Sequence, residues 1–497
     1  MSETLQPDPR RWKALVFIAL AQLMVVLDAT VVNIALPRAK EDLGFADSTT
    51  QWVITAYALA FGGLLLFGGR VADLWGRRRT FMVGLVGFAA ASAIGGAAVN
   101  TAMLLGARAL QGVFGALLAP AALSLLAVMF SDGKERAKAF GIFGAVAGGG
   151  GAIGLILGGA LTEYLNWRWT FYVNIPFAAV ALAGAIMVIR EPAVGLNRNR
   201  LDIPGVLLVT TGLVSLVYGF TRAESQGWGD SSTIGLFVAA AVLLAAFVVV
   251  ESRVSAPLLP LRVITDRNRG GVYLSLGMAV IGMFGLFLFL TLYMQGVLGY
   301  KPLVNGFAFL PMVAGMITGS TQIGARLMTR VPARYLMAPG FLVASLGLLI
   351  LTQIDVNTSY WQILPGLVLM GLGMGTAFMP AMSLATFGVQ PRDAGVASAM
   401  VNTSQQVGGA IGTALLSTVA HSAGTAYLDA HKAAAATTDP KLFALQIQVH
   451  SYSTAIWWAF GILVLAGITA FTLITAGKPE HHDSPATAED AVPVMAH

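Results

Sequence analysis

Asp28 stands inside the first apolar run long enough to cross a bilayer, in Leu27-Asp-Ala-Thr-Val-Val-Asn-Ile-Ala-Leu-Pro37. A charge near the bilayer centre costs about 3 kcal/mol by insertion scales, so such a residue marks a function. A carboxylate there can take up a proton from one face of the membrane and exchange it, or a cation, at the other. Arg108, inside the fourth run, is the natural companion. Its guanidinium stays protonated under almost any condition, so it cannot be the carrier; it can bias a carboxylate or hold water. At a rise of about 1.5 Å per residue, Asp28 lies roughly 24 Å, and Arg108 roughly 20 Å, above the membrane surface on the N-terminal side. The two are thus close enough in depth to share one layer in the outer half. Glu163 and Asp202 lie near the ends of runs, where interfacial roles are expected.

Enzymatic chemistry finds no support. There is no G-x4-G-K-[ST] phosphate loop, no H-E-x-x-H helix and no G-x-S-x-G elbow. The absence of cysteine removes thiolate metal sites and thiol nucleophiles. No cofactor and no metal is expected, and His481 and His482 read as part of a polar tail. Work done by such a chain must draw on an ion gradient or a partner.

The elements that position these residues are membrane helices. Of 497 residues, 56% are hydrophobic and 11% charged, outside the range of water-soluble domains of this size. Apolar runs of about 17 to 27 residues recur about fourteen times, beginning near Trp12 and ending with one near Ser453. The first run is too long for a signal peptide and lacks a small-residue cleavage site. Most of the 30 Lys and Arg residues fall in alternate loops on the side of the N-terminus: Arg77 to Arg79, Lys134 to Lys138, Arg198 and Arg200, Arg262 to Arg269, and Arg330 to Arg334. By the positive-inside rule both termini are cytoplasmic, and most of these clusters need do no more than set topology. The net charge of +6 is thus a membrane signature, and no nucleic-acid partner is implied.

Two glycine-and-basic turns, Gly69 to Arg79 and Gly324 to Arg334, leave even-numbered runs on the same side. If the seventh and eighth runs are an insertion, these turns are equivalent points of two related halves. The expected organisation is an N-terminus at 1–11, a six-helix bundle at 12–190, two inserted helices at 203–250, a cytoplasmic link at 251–269, a second six-helix bundle at 270–476 and a disordered tail at 477–497. A longer outer loop is expected from Ser422 to Tyr452.

Four segments, in order and on the right helices, resemble the signature motifs of the major facilitator superfamily, and of its fourteen-span drug/proton antiporter branch of the EmrB/QacA type. They are Leu27 to Pro37, Gly69-Arg-Val-Ala-Asp73-Leu-Trp-Gly76-Arg-Arg-Arg79, Arg108-Ala-Leu-Gln111-Gly112-Val-Phe-Gly115, and Gly150-Gly-Ala-Ile-Gly154-Leu-Ile-Leu-Gly158-Gly159. Shorter similarities run through Trp52 to Tyr57, Trp167 to Pro176 and Asn402 to Gly409. The resemblance implies an all-α fold of two six-helix bundles plus two inserted helices. It implies proton coupling through Asp28 and Arg108, and a conformational latch at Gly69, Asp73, Gly76, Arg77 and Arg78. It also implies a smooth glycine face at Gly150, Gly154, Gly158 and Gly159. Leu74 stands where the family usually has a basic residue, and Leu155 where it has the antiporter proline.

Phe284, Phe287, Phe289, Tyr293, Met374, Phe378, Met379 and Met382 either line an adaptable apolar pocket or face lipid and core. Tyr57, Gln111, Asn402 and Gln405 are the polar candidates for the same pocket. The expected function is proton-driven efflux, by alternating access, of a hydrophobic or amphipathic compound that is cationic where charged. The competing reading is a proton-coupled uptake symporter of the same superfamily. The expected setting is a monomer in a bacterial inner membrane, the substrate, protons and the lipid bilayer being its partners.

Overall fold

The structure is a computed structural model that describes residues 9–45, 47–130, 132–189, 202–255, 257–432 and 439–477. The tail from 478 and the stretch 190–201, which holds Arg198 and Arg200, lie outside the described residues. Within the helices, the side chains of Asn33, Ile34, Pro37 and Leu155, among others, also fall outside the description.

The described residues are helical, without a strand. Six helices form the first bundle: α1 Arg11–Leu43, α2 Asp47–Trp75, α3 Arg77–Gly96, α4 Thr101–Met129, α5 Gly133–Tyr164 and α6 Trp169–Met187. The inserted pair is α7 Ile203–Gln226 and α8 Ser231–Glu251. A link with a short helix at Leu261–Thr265 leads to the second bundle. That bundle comprises α9 Arg267–Gly296, α10 Leu303–Leu327, α11 Arg334–Leu351, α12 Tyr360–Thr386, α13 Ala394–Ala430 and α14 Pro440–Leu473. Asp132, Asp202, Asp230, Asp266 and Asp439 cap the helices they precede, each accepting backbone N–H groups of the first turn.

Twelve helices among the described residues are long and apolar enough to cross a membrane. A thirteenth is α5, bent by 44° between Gly133–Gly151 and Ile156–Tyr164. The fourteenth, α13, is 37 residues long but too polar to meet the same test, because it carries Asn402, Ser404, Gln405 and Gln406. The expected outer loop from Ser422 to Tyr452 is corrected. Helix α13 continues to Ala430, and α14 already begins at Pro440. Hydropathy marks where a helix leaves lipid, whereas helix-forming residues such as Ala and Leu carry it onward.

Packing sets the seam between the halves. On one side α5 lies along α10 and α12; on the other, α2 lies along α13. The inserted α7 packs against both α2 and α13, so it straddles that second seam. One π-helical turn at Gly319–Gly324 interrupts α10 where Ser320 Oγ donates to Gly141 O of α5 at 2.7 Å. The ends that carry Arg77 to Arg79, Lys134 and Arg267 are called the basic end below, and the opposite one the far end.

Candidate functional site

Asp28 of α1 is 1% exposed and lies inside the first bundle, ringed by four other helices. On α4, Arg108 and Gln111 are three residues apart and so share a face. Arg108 Nη1 donates to Asp28 Oδ2 at 2.7 Å, and Gln111 Nε2 donates to Asp28 Oδ1 at 2.8 Å. From α6, Asn174 Nδ2 donates to the same Oδ1 at 2.7 Å. Ser92 of α3 accepts from both amides, at 2.8 Å from Gln111 and 3.3 Å from Asn174. Arg108 also donates through Nε to Val53 O at 3.2 Å and through Nη1 to Gln111 Oε1 at 2.9 Å. The ring of Tyr57 lies 4.4 Å from the guanidinium carbon, a cation–π contact.

A buried ion pair survives only when its remaining lone pairs and protons are satisfied, since desolvation otherwise outweighs attraction. Here each carboxylate oxygen accepts, and the guanidinium spends its surplus donors on a carbonyl and an amide oxygen. The depth match expected for Asp28 and Arg108 is thus a direct contact. Gln111 and Tyr57, expected in a substrate pocket, are corrected: both face the ion pair and are buried with it. Ser92 and Asn174 were not foreseen. Asn174 sits in the Trp167 to Pro176 stretch and was legible as an amide in an apolar helix. Ser92, in an Ala- and Gly-rich run, gives no such signal, because helical serines usually bond their own backbone.

The turn between α2 and α3 joins the halves. Asp73 Oδ1 accepts from Gly395 N at 2.9 Å, and Oδ2 from Val396 N at 3.2 Å. These N–H groups belong to the first turn of α13, so a carboxylate of one bundle caps a helix of the other, where free donors and the positive end of the helix dipole coincide. Arg77 Nη2 steadies the same Oδ1 at 3.1 Å, and its Nε donates to Ser124 Oγ at 2.7 Å. Gly69 admits the approach: a Cβ there would lie 2.5 Å from Gly395 O. Gly76 adopts φ 102°, a conformation that side chains disfavour. Arg78 does not join this contact among its described bonds. It donates to Ala185 O and Ile186 O, capping the end of α6 in its own bundle, as basic groups at helix C-termini do.

Arg136, from one of the basic clusters expected to set topology, adds a second junction. It is 6% exposed and donates to Ser383 Oγ and O and to Thr386 Oγ1 on α12, at 3.2, 3.1 and 2.6 Å. The turn Gly324 to Arg334 forms no counterpart of the Asp73 contact. It has no acidic residue, and Arg326 and Arg330 are exposed.

The glycines of α5 divide between two neighbours. A Cβ on Gly150 would lie 2.9 Å from Val26, and one on Gly154 would overlap Thr30 and stand 3.4 Å from Leu27 O, both on α1. Gly159 instead faces Leu303 of α10, and Gly158 is buried. The surface that α5 turns to the second bundle is made by Gly141, Gly144, Gly149 and Gly159. Gly150 and Gly154 therefore brace the turn of α1 that carries Asp28, which corrects the single sliding face expected of the motif. The bend in α5 arises without a proline.

Four of the apolar pocket candidates are core residues. Phe289 packs on Tyr452, Tyr293 Oη donates to Asp355 O at 2.5 Å, and Phe378 and Met382 are each 3% exposed. Their spacing reflects the faces that α9 and α12 bury within their own bundle. Phe287 is placed differently, at the seam, against Phe309 and near Gly151. On α13, Asn402 Nδ2 donates to Ser398 O of its own helix at 3.0 Å, and Gln405 Nε2 is buried without a partner among the described residues.

The human organic anion transporter MFSD10 (TETRAN) superposes with a TM-score of 0.62 over 92% of this chain and 100% of its own, at 15% identity, a likeness of fold alone. The chain is 52% identical to the puromycin resistance protein pur8 of Streptomyces alboniger, over 94% of this chain and 92% of that protein. It is 41% identical to the cephamycin export protein CmcT of Amycolatopsis lactamdurans (82% and 84%) and 34% identical to the tetracenomycin C resistance and export protein of Streptomyces glaucescens (82% and 75%). The family model described as Major Facilitator Superfamily matches residues 18–413. With two bundles joined at Asp73, a charge pair sealed inside the first, and this match across most of its length, the chain belongs to the major facilitator superfamily of membrane transporters.

Proposed function

We propose that this protein exports antibiotic-type small molecules across a bacterial cell membrane in exchange for protons, by alternating access, with its basic end in the cytoplasm. Export is supported by the relatives named for resistance to puromycin and export of cephamycin. Those names favour efflux over the uptake reading. Orientation is supported by the basic residues gathered at one end.

The observation that carries proton coupling is the closed network around Asp28. With Asp28 ionised, the pair it forms with Arg108 is neutral and both carboxylate oxygens accept hydrogen bonds. A proton on Asp28 leaves the Arg108 charge uncompensated inside the bundle, with Val53 O, Gln111 Oε1 and the face of Tyr57 as its other partners among the described residues. An uncompensated buried charge is costly, so protonation favours a rearranged packing of α1 and α4. Gly154, wedged against Thr30 two residues after Asp28, passes such a shift to α5 and so to the seam with α10. The substrate would meet the seam near Phe287, Asn402 and Gln405, whose unpartnered Nε2 offers a donor. In sealed vesicles with an imposed pH gradient, Asp28→Asn is expected to abolish gradient-driven substrate accumulation while substrate binding persists. Accumulation at the wild-type rate would sink the coupling role.

A further inference from the structure

The inserted helices end, at the basic end, in ionisable side chains that the Asp28 network does not use. Asp202 caps α7, its Oδ1 accepting from Gly205 N at 3.0 Å. Glu251 closes α8, and its Oε2 accepts from Leu259 N at 3.0 Å. The remaining oxygens, Asp202 Oδ2 and Glu251 Oε1, are buried and meet no donor among the described residues. They converge on one point: a Cβ on Gly205 would lie 2.5 Å from the first and 2.6 Å from the second. The two side chains stand within hydrogen-bonding reach of each other. Asp202 lies at the end of its helix, as expected, but both residues are buried there: Asp202 is 7% exposed and Glu251 is 4% exposed.

The group facing them is Arg70 of α2. It is 2% exposed, its Nε and Nη1 are buried and unpartnered, and it acts electrostatically on Glu251 on one side and on Asp73 on the other. Arg77, the other cation beside Asp73, is already bonded to it. From the link, Arg262 turns away to Asp393. Val209, Phe247, Leu258 and Val396, from α7, α8, the link and α13, form an apolar cluster on these elements.

Two acceptor oxygens buried face to face, with no donor, are held together only by a proton between them. Charge balance agrees: two carboxylates and one guanidinium carry a net negative charge, and one proton makes the set neutral. We propose that Asp202 and Glu251 hold one shared proton, forming a proton-binding site separate from Asp28, and that Arg70 links its occupancy to the Asp73 latch. On release, the O–H bond of one carboxyl breaks and the proton passes to water at the basic end. The second negative charge draws Arg70 toward the pair and away from Asp73, which loosens the hold of Asp73 on α13. The inserted helices thereby act as a proton-sensitive clamp on the seam that α7 straddles. This site does not depend on the role of Asp28.

The first test is infrared difference spectroscopy of the purified full-length protein in lipid. The wild type is expected to show a protonated-carboxyl C=O band that persists in Asp28→Asn and is lost in Glu251→Gln, whose amide can donate to Asp202 Oδ2 in the proton's place. Asp202→Asn, the reciprocal variant, should also lose it. A band unchanged in both variants overturns the shared proton. The second test uses a cysteine at the opposite seam, where α10 meets α5, Ser320→Cys, and a water-soluble maleimide, since parting of the two halves exposes both seams. Labelling is expected to rise with pH more steeply in that background than once Glu251→Gln is added, where only the growing thiolate fraction raises the rate. An equal rise in both overturns the link through Arg70.

Discussion

At the scale of single residues, the Asp28 cluster shows why a charge can live inside a helical bundle. Its three donors come from two helices, so none can be lost without leaving an acceptor short. Hydrogen bonds to a charged group contribute about 1.5 to 3 kcal/mol, against about 1 kcal/mol for neutral partners. Asn174→Ala should therefore destabilise the protein by roughly 2 kcal/mol. The same change in an Asp28→Asn background should cost only about half as much, because the acceptor is no longer ionised. Equilibrium unfolding of the four proteins in detergent measures the difference. Equal costs in both backgrounds would mean that Asn174 merely fills space.

The scale of elements explains which of these contacts the sequence disclosed. A lone charge in an apolar run is visible in one dimension, and helix rise alone put Asp28 and Arg108 in one layer. Ser92 and Asn174 were hidden because their role depends on which faces of α3 and α6 turn inward, a tertiary property. The reverse error befell Phe289, Tyr293, Phe378 and Met382: rings and thioethers fill cores and pockets alike, and burial decides between them. Arg136 was lost among basic neighbours that set topology. For the glycines of α5 the spacing gave a helix face but not its partner. Because Gly154 meets Thr30 and Leu27 O, Gly154→Ala should overpack α1 and cost about 1 to 3 kcal/mol. Pairing it with Thr30→Ala, which removes the nearest atom, should restore part of that loss. Thermal unfolding of the single and double variants checks it. No recovery would mean that the alanine is resisted elsewhere.

For the whole molecule, the question is what holds the two bundles shut at the basic end. Asp73 on the first turn of α13, Arg136 on Ser383 and Thr386, and Ser320 on Gly141 O all bridge the halves there. The Asp73 contact differs from the others because an ionised group meets a helix N-terminus, an arrangement that contributes about 1 to 2 kcal/mol. Gly69 and Gly395 face each other across the same joint with no room for a side chain, so the joint is either fully closed or parted. Asp73→Asn keeps the shape but removes the charge, and should shift the equilibrium toward the parted form by about tenfold, as 1.4 kcal/mol implies. The protein contains no cysteine, so a single Ser320→Cys reports directly. Its alkylation rate should rise about tenfold with Asp73→Asn, and should rise further, not less, when Arg136→Ala is added, since the two junctions lie on different helices and their costs add. If Asp73→Asn left the rate unchanged, the carboxylate would be a local cap without hold over the two halves, and Arg136 would have to carry the closure.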